Sequence, residues 1–256
     1  MTDLGKNAKT PSIEESIGGM RELLAIWQIE EKLVKTPIID NSPDTGLFVR
    51  AFAEHTVALT ESVALLGEHR MFLQAAPLIR LSMECAITAA WLSVTPNSAN
   101  ALTHEYAVQE KKLFNHRAQL NIPVSTEDLL FTTIEFEELV KYQSSEALQF
   151  IERFKAIAGG ELLYLPYRQL SEVSHAGLSI KQHYVFENPE STDPEKRLAF
   201  VIQPQYFWTD QAFGGQVVSL ILALTAWDEL APDKPWSSKI QTIADRFGVI
   251  RTIRRT

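Results

Sequence analysis

The stretch Arg70-Met-Phe-Leu-Gln-Ala-Ala-Pro77-Leu-Ile-Arg80-Leu-Ser-Met-Glu84-Cys-Ala-Ile-Thr-Ala-Ala-Trp91-Leu-Ser-Val94 decides the fold. It is apolar nearly all round, and a helix without a polar face must be covered by other elements, so it reads as the central helix of a bundle. Pro77 marks a kink or a first turn. Working outward, apolar residues recur at helical spacing over residues 14–35, which Pro37 stops, and over 47–66. A turn-rich loop, 40–46, separates these two, and Gly67 is placed to end the second in a left-handed cap. Further helices are predicted over 97–120, 126–142, 144–160 and 162–181, the last with Pro166 near its start. Short β-type runs at 183–187 and 198–202 flank a polar loop and read as a hairpin. Helices then resume over 209–230 and 237–251.

The expected fold is therefore all-α: one helical bundle of eight or nine helices with a small β-hairpin-like insertion at about 183–203. A flexible tail, 1–13, precedes the helical domain, 14–252, and a basic tail, 253–256, follows it. The chain has 256 residues, 45% apolar and 22% charged, which excludes disordered and collagen-like classes. Its single cysteine, Cys85, allows no internal disulfide and no cysteine zinc cluster, and its apolar neighbours predict an inert buried thiol. A net charge of −8 disfavours broad electrostatic capture of nucleic acid and leaves only a local basic patch for that purpose. The polar first dozen residues carry no apolar core, so no signal peptide is read there. The longest apolar run, 217–227, is about half of the roughly 20 residues a spanning helix needs. A cytoplasmic protein without a membrane segment is expected.

Familiar chemical motifs are scarce. The Gly-Gly pairs lack the flanks of a phosphate loop, and no strand–helix alternation supports a dinucleotide fold. One Glu-x-x-His occurs, Glu172 to His175, whereas a di-metal carboxylate bundle uses two. Phe52, Leu66, Ala101, Leu113 and Ile180 stand three before the other histidines. No metal and no cofactor are expected. Ser171 and His175 lie four apart, but the orienting acid and oxyanion site of a hydrolase are not visible. Arg80 and Glu84, also four apart, sit on the apolar central helix and must satisfy their charges through each other or through neighbouring helices.

The densest collection of functional side chains is Tyr164-Leu-Pro-Tyr167-Arg168-Gln-Leu-Ser171-Glu172-Val-Ser-His175-Ala-Gly-Leu-Ser179. Arg168 and His175 are two helical turns apart, which predicts one shared face and an axial separation of about 10 Å. A guanidinium that forks onto phosphate and an imidazole that titrates near neutrality suit metal-free RNA cleavage. His175 would be the general acid or base, Arg168 would stabilise the transition-state charge, and the ribose 2′-OH would attack.

Arg168, six intervening residues and His175 resemble the Arg-x4–6-His signature of the HEPN superfamily. Its members are small helical bundles, often dimeric, of bacterial toxins, abortive-infection systems and RNA-processing factors. The resemblance implies an endoribonuclease whose two subunits face one cleft, with an RNA substrate and an antitoxin or regulatory partner. A second resemblance covers more chain. The run from Ala76 to Leu92, followed by Tyr167 to His175, looks like a bacterial helical family of unknown function in which an Arg…Glu helix precedes a Tyr…Ser…His helix. In that reading Arg80, Glu84, Tyr167, Arg168, Ser171 and His175 line one polar pocket. Three readings stay open: a nuclease site, a ligand pocket, or a satisfied buried network in a non-catalytic dimerisation or regulatory protein. Away from this segment, Tyr206, Phe207, Trp208 and Phe213 read as core or subunit-interface packing. Lys239, Arg246, Arg251, Arg254 and Arg255 form a basic, solvated end.

Overall fold

The computed structural model describes residues 10–30, 43–126, 136–187, 190–193, 198–200, 204, 206, 208–231, 233–249 and 252–256. Among them are ten α-helices: α1 Ile13–Glu30, α2 Pro43–Glu68, α3 Phe72–Val94, α4 Ser98–Gln119, α5 Ser145–Leu148, α6 Phe150–Ala156, α7 Glu161–Ser174, α8 Leu178–Tyr184, α9 Thr209–Leu230 and α10 Ser237–Arg246. Residues 136–139 are also helical and run into a 3-10 turn, Val140–Tyr142. Strands β1 Val185–Glu187 and β2 Leu198–Phe200 pair antiparallel, with Val185 opposite Phe200. The flexible tail expected at 1–13 falls mostly outside the described residues, as do 127–135 of the expected fifth helix and 201–203 of the insertion.

The all-α reading holds, and α3 occupies the centre, packed between α2, α9 and α7. It is long and apolar enough to cross a membrane by length and composition, which the sequence reading did not anticipate; 72% of its most apolar window is buried inside the bundle. Trp91, Ile79, Met83 and Ile87 meet Phe213, Trp227 and Leu220 of α9 in one continuous core. A polar tie runs through it. The Gln216 amide donates to Thr60 Oγ1 at 2.6 Å and to Ser82 Oγ at 2.8 Å, so α9 is fixed to α2 and α3 at one level.

Helix ends follow local chemistry. Ser12 and Glu15 form a capping box at the start of α1: Glu15 N–H donates to Ser12 Oγ, and Ser12 N–H donates to Glu15 Oε2. Pro43 opens α2, where a residue without an N–H costs nothing, so residues read as loop up to Gly46 are partly helical. The left-handed residue after α2 is Arg70, φ 57°, rather than Gly67. Met71 N–H reaches Leu66 O and Arg70 N–H reaches Gly67 O, the bond pair of a Schellman cap. Gly67 serves packing instead: a Cβ there would clash with the Phe213 ring.

Two expected helices are broken, which raises the count above nine. The sixth splits at Gln149, whose backbone is extended, into α5 and α6. The seventh ends at Ser174; His175 is extended at φ −111°, ψ 146°, and Gly177 leads into α8. Ser174 Oγ bonds back to Leu170 O, and Ser179 Oγ takes up the otherwise orphaned Glu172 carbonyl, so the bend has its own hydrogen bonds. At the basic C-terminal end Lys239, Arg246, Arg254 and Arg255 are exposed as expected, Arg251 lies outside the described residues, and the backbone of 254–256 is anchored. Ala158 N–H donates to Arg254 O, Thr256 N–H donates to Ala156 O, and Ile157 bridges Arg255 antiparallel.

Candidate functional site

Arg80 and Glu84 project from one side of α3, one turn apart, and α7 brings Tyr167 and Ser171 to them. Arg80 Nη2 lies 2.8 Å from Glu84 Oε1 and 2.9 Å from the Tyr167 hydroxyl oxygen. Arg80 Nε donates to Ser171 Oγ at 3.0 Å, while Tyr167 donates its own proton to Glu84 Oε1 at 3.0 Å. Ser171 donates onward to Tyr167 O. The cluster is half-buried and internally paired. It joins two helices more than eighty residues apart in sequence.

Aromatic packing surrounds it. The Arg80 guanidinium sits 5.1 Å from the Tyr167 ring centre, and Tyr167 packs against Phe150, Phe154 and Tyr164. Sequence reasoning missed Phe150 and Phe154, although their spacing of four was a signal for one helix face. It also missed buried Arg153. That residue donates to Thr88 Oγ1 and to the carbonyls of Glu146 and Ala147. Burial lowers its pKa, and the charges of Glu105 and Glu84 pull it back up.

The remaining predicted site residues lie apart from this cluster. Arg168 is exposed, and a hydrogen bond with Tyr164 holds its pKa above the ordinary arginine value. Glu172 and His175 are exposed too. Because α7 ends before His175, the expectation that Arg168 and His175 share a helix face two turns apart is corrected: the imidazole follows the bend. Arg80, Glu84, Tyr167 and Ser171 are thus brought together, while Arg168 and His175 are not part of their network. Among the described residues, no three of His, Cys, Asp and Glu gather as a metal site.

Several proton-bearing groups near this core resist ionisation. Burial, then the charge of Glu84, pushes the Cys85 thiol up to about 12. Burial, then Glu172, does the same to Tyr206, up to about 12, and burial raises Tyr167 above the usual phenol value despite its bond from Arg80. Each folded-state value exceeds the unfolded one, so this stability is complete below the unfolded values of about 8.5–10 and is lost as pH climbs through the folded ones. The urea midpoint is expected to hold to about pH 8.5 and then fall toward pH 12, with a smaller fall in the double variant Cys85→Ala, Tyr206→Phe. An equally steep fall in that variant would place the effect elsewhere.

No curated protein and no solved structure matches the chain. The two helices that build the cluster, α3 and α7, both lie within residues 45–192, which match a family model described as a family of unknown function (DUF5677). The match covers more than half of the chain and accords with the resemblance drawn from Ala76–Leu92 and Tyr167–His175. This chain, with its Arg80–Glu84–Tyr167–Ser171 clasp, belongs to that family of unknown function.

Proposed function

We propose that the chain is a self-associating helical module and that the outer face of α7 is where a second copy docks. The observation that carries this is the composition of that face. Glu161, Leu165, Arg168 and Glu172 recur at spacings of four and three and are all exposed. Leu162 at 62%, Leu165 at 66% and, past the bend, Leu178 at 80% leave large apolar side chains in solvent. The stripe is complementary to itself: when two copies meet antiparallel about a two-fold axis that crosses the outer face of α7 midway between Arg168 and Glu172, Arg168 of each opposes Glu172 of the other. The clasp to α3 supports this role by holding α7 in one orientation.

Light scattering after gel filtration is the test. The wild-type protein is expected to run as a dimer at micromolar concentration, and Leu165→Glu as a monomer with the far-ultraviolet circular dichroism of the wild type and a melting temperature that no longer depends on protein concentration. A monomeric wild type, or a variant that stays dimeric, would overturn the proposal.

A second reading, metal-independent RNA cleavage, is favoured by one further observation: Arg168 and His175 are both exposed and both left out of the clasp. Dimerisation would bring two such pairs to one face, so groups from both chains could grip one phosphate. The 2′-oxygen would attack phosphorus as His175 of one copy takes its proton, and the P–O5′ bond would break as His175 of the other copy protonates the leaving 5′-oxygen. A 2′,3′-cyclic phosphate would remain, and Arg168 would balance charge on the phosphate. In this reading, supported by the HEPN resemblance, the chain acts in the cytoplasm in a bacterial defence or toxin role, restrained by an antitoxin or regulatory protein. Cleavage of RNA in EDTA is expected, abolished by His175→Ala. Because His175 is exposed rather than part of a buried network, that variant should change stability by no more than about 0.5 kcal/mol. Cleavage that persists in the variant would mark a contaminant and remove the support.

A further inference from the structure

A cavity of about 300 Å³ lies between α3, α9, the start of α7 and the segment after α10. That volume is at the lower end of small-molecule pockets, about 300–1,000 Å³. Ile87, Leu163, Ile221, Leu222, Phe247 and Ile253 supply apolar walls. Gly159 and Gly248, both at positive φ, line it as well, and a Cβ on either would meet nothing within 4 Å. One polar side chain breaks the pattern. Thr225 lines the cavity, is fully buried, and its hydroxyl has no hydrogen-bond partner among the described residues.

Three other buried or half-buried helical hydroxyls return their proton to the carbonyl four residues back: Ser219 to Gly215 on the same helix, and Thr56 to Phe52 and Thr60 to Thr56 on α2. Thr225 does not. Ser16 on α1 shares the unpaired state of Thr225 among the described residues, but it does not line the cavity. A buried hydroxyl without a partner is costly, and a native site that retains one calls for an explanation. The described lining is mostly apolar and carries no charged side chain, which suits an uncharged ligand.

The geometry points to a binding site for a neutral, mostly aliphatic small molecule that carries one hydrogen-bonding oxygen, which the Thr225 hydroxyl engages. Straight-chain alcohols serve as the probe, with isothermal titration and thermal unfolding as readouts. From 1-hexanol to 1-octanol, affinity is expected to rise about fourfold per added CH₂ until the cavity is filled, the equivalent of about 0.8 kcal/mol per group.

Two variants separate this site from general solvent effects. Val218→Phe, which fills the cavity, is expected to abolish saturable binding. Thr225→Val keeps the shape and removes the hydroxyl. It is expected to be at least as stable as the wild type without probe and to bind 1-octanol about tenfold more weakly, one lost hydrogen bond. Non-saturable binding, binding unchanged in Val218→Phe, or a Thr225→Val protein less stable than the wild type would each overturn the site. The last outcome would mean that the hydroxyl is already paired within the chain.

Discussion

Arg153→Ala is expected to lower stability by about 3–5 kcal/mol, more than any exposed substitution on this protein. The reason starts with helix length. The four residues of α5 and the seven of α6 are too few to hold a helix alone. The last carbonyls of α5 have no partner within so short an element. Arg153 supplies them: its Nε donates to Glu146 O at 3.0 Å and its Nη2 to Ala147 O at 2.6 Å, while Nη1 donates to Thr88 Oγ1 of α3 at 3.0 Å. The guanidinium also lies 5.3 Å from the Trp91 ring and 5.6 Å from Phe150. Alanine would leave two carbonyls unpaired and open a void between the rings. Arg153→Lys keeps the charge but not the three-way fork, so an intermediate loss is expected. Urea unfolding of the three proteins measures this, and a loss below about 1 kcal/mol for alanine would show that the short helices stand without the fork.

Asp228→Ala is expected to cost about 2–4 kcal/mol, because one carboxylate holds the turn that joins α9 to α10. Asp228 is fully buried near the end of α9. Oδ1 accepts from Trp236 N–H at 2.8 Å, and Oδ2 accepts from the Ser237 hydroxyl at 2.7 Å. These bonds seat Trp236 in the core, where its ring lies 5.3 Å from that of Trp27 on α1. Losing the carboxylate strands a buried N–H and loosens three helices at once. Asp228→Asn retains one acceptor oxygen and is expected to lose about half as much. Thermal unfolding followed by tryptophan fluorescence checks both, since Trp236 reports on the affected turn. Equal melting temperatures for the alanine variant and the wild type would refute the argument.

The sequence was most informative where an element is long and its ends are set by nearby residues. The reading of 209–230 coincides with α9, and that of 97–120 with α4 to within a residue or two. The apolar circumference of 70–94 correctly placed α3 at the centre. Breaks that depend on a few hydrogen bonds were harder. Nothing in the periodicity of 162–181 signals that Ser174 and Ser179 will bond carbonyls on α7 and turn the chain at His175. That one bend separates the imidazole from the helix face on which the Arg168–His175 argument was built.

The clasp was legible in part, because a charged pair on an apolar helix must find partners, and Tyr167 and Ser171 at helical spacing were available to it. Arg153 was not legible, since one arginine between Glu152 and Phe154 looks like a surface residue until Thr88 is known to face it. Thr225 was equally silent. Only the empty space beside it distinguishes it from any core threonine.

The anchored C-terminal segment imposes an order on synthesis. Residues 254–256 seal the edge offered by residues 156–158, yet the Lys155–Thr256 contact spans 101 positions of sequence. At about 5–20 residues per second, the ribosome therefore delivers that covering segment roughly 5–20 s after its docking edge has emerged. For that interval the edge stands open on the nascent chain, and the Glu146 carboxylate, which Arg255 later grips, has the Trp91 indole as its other side-chain partner among the described residues.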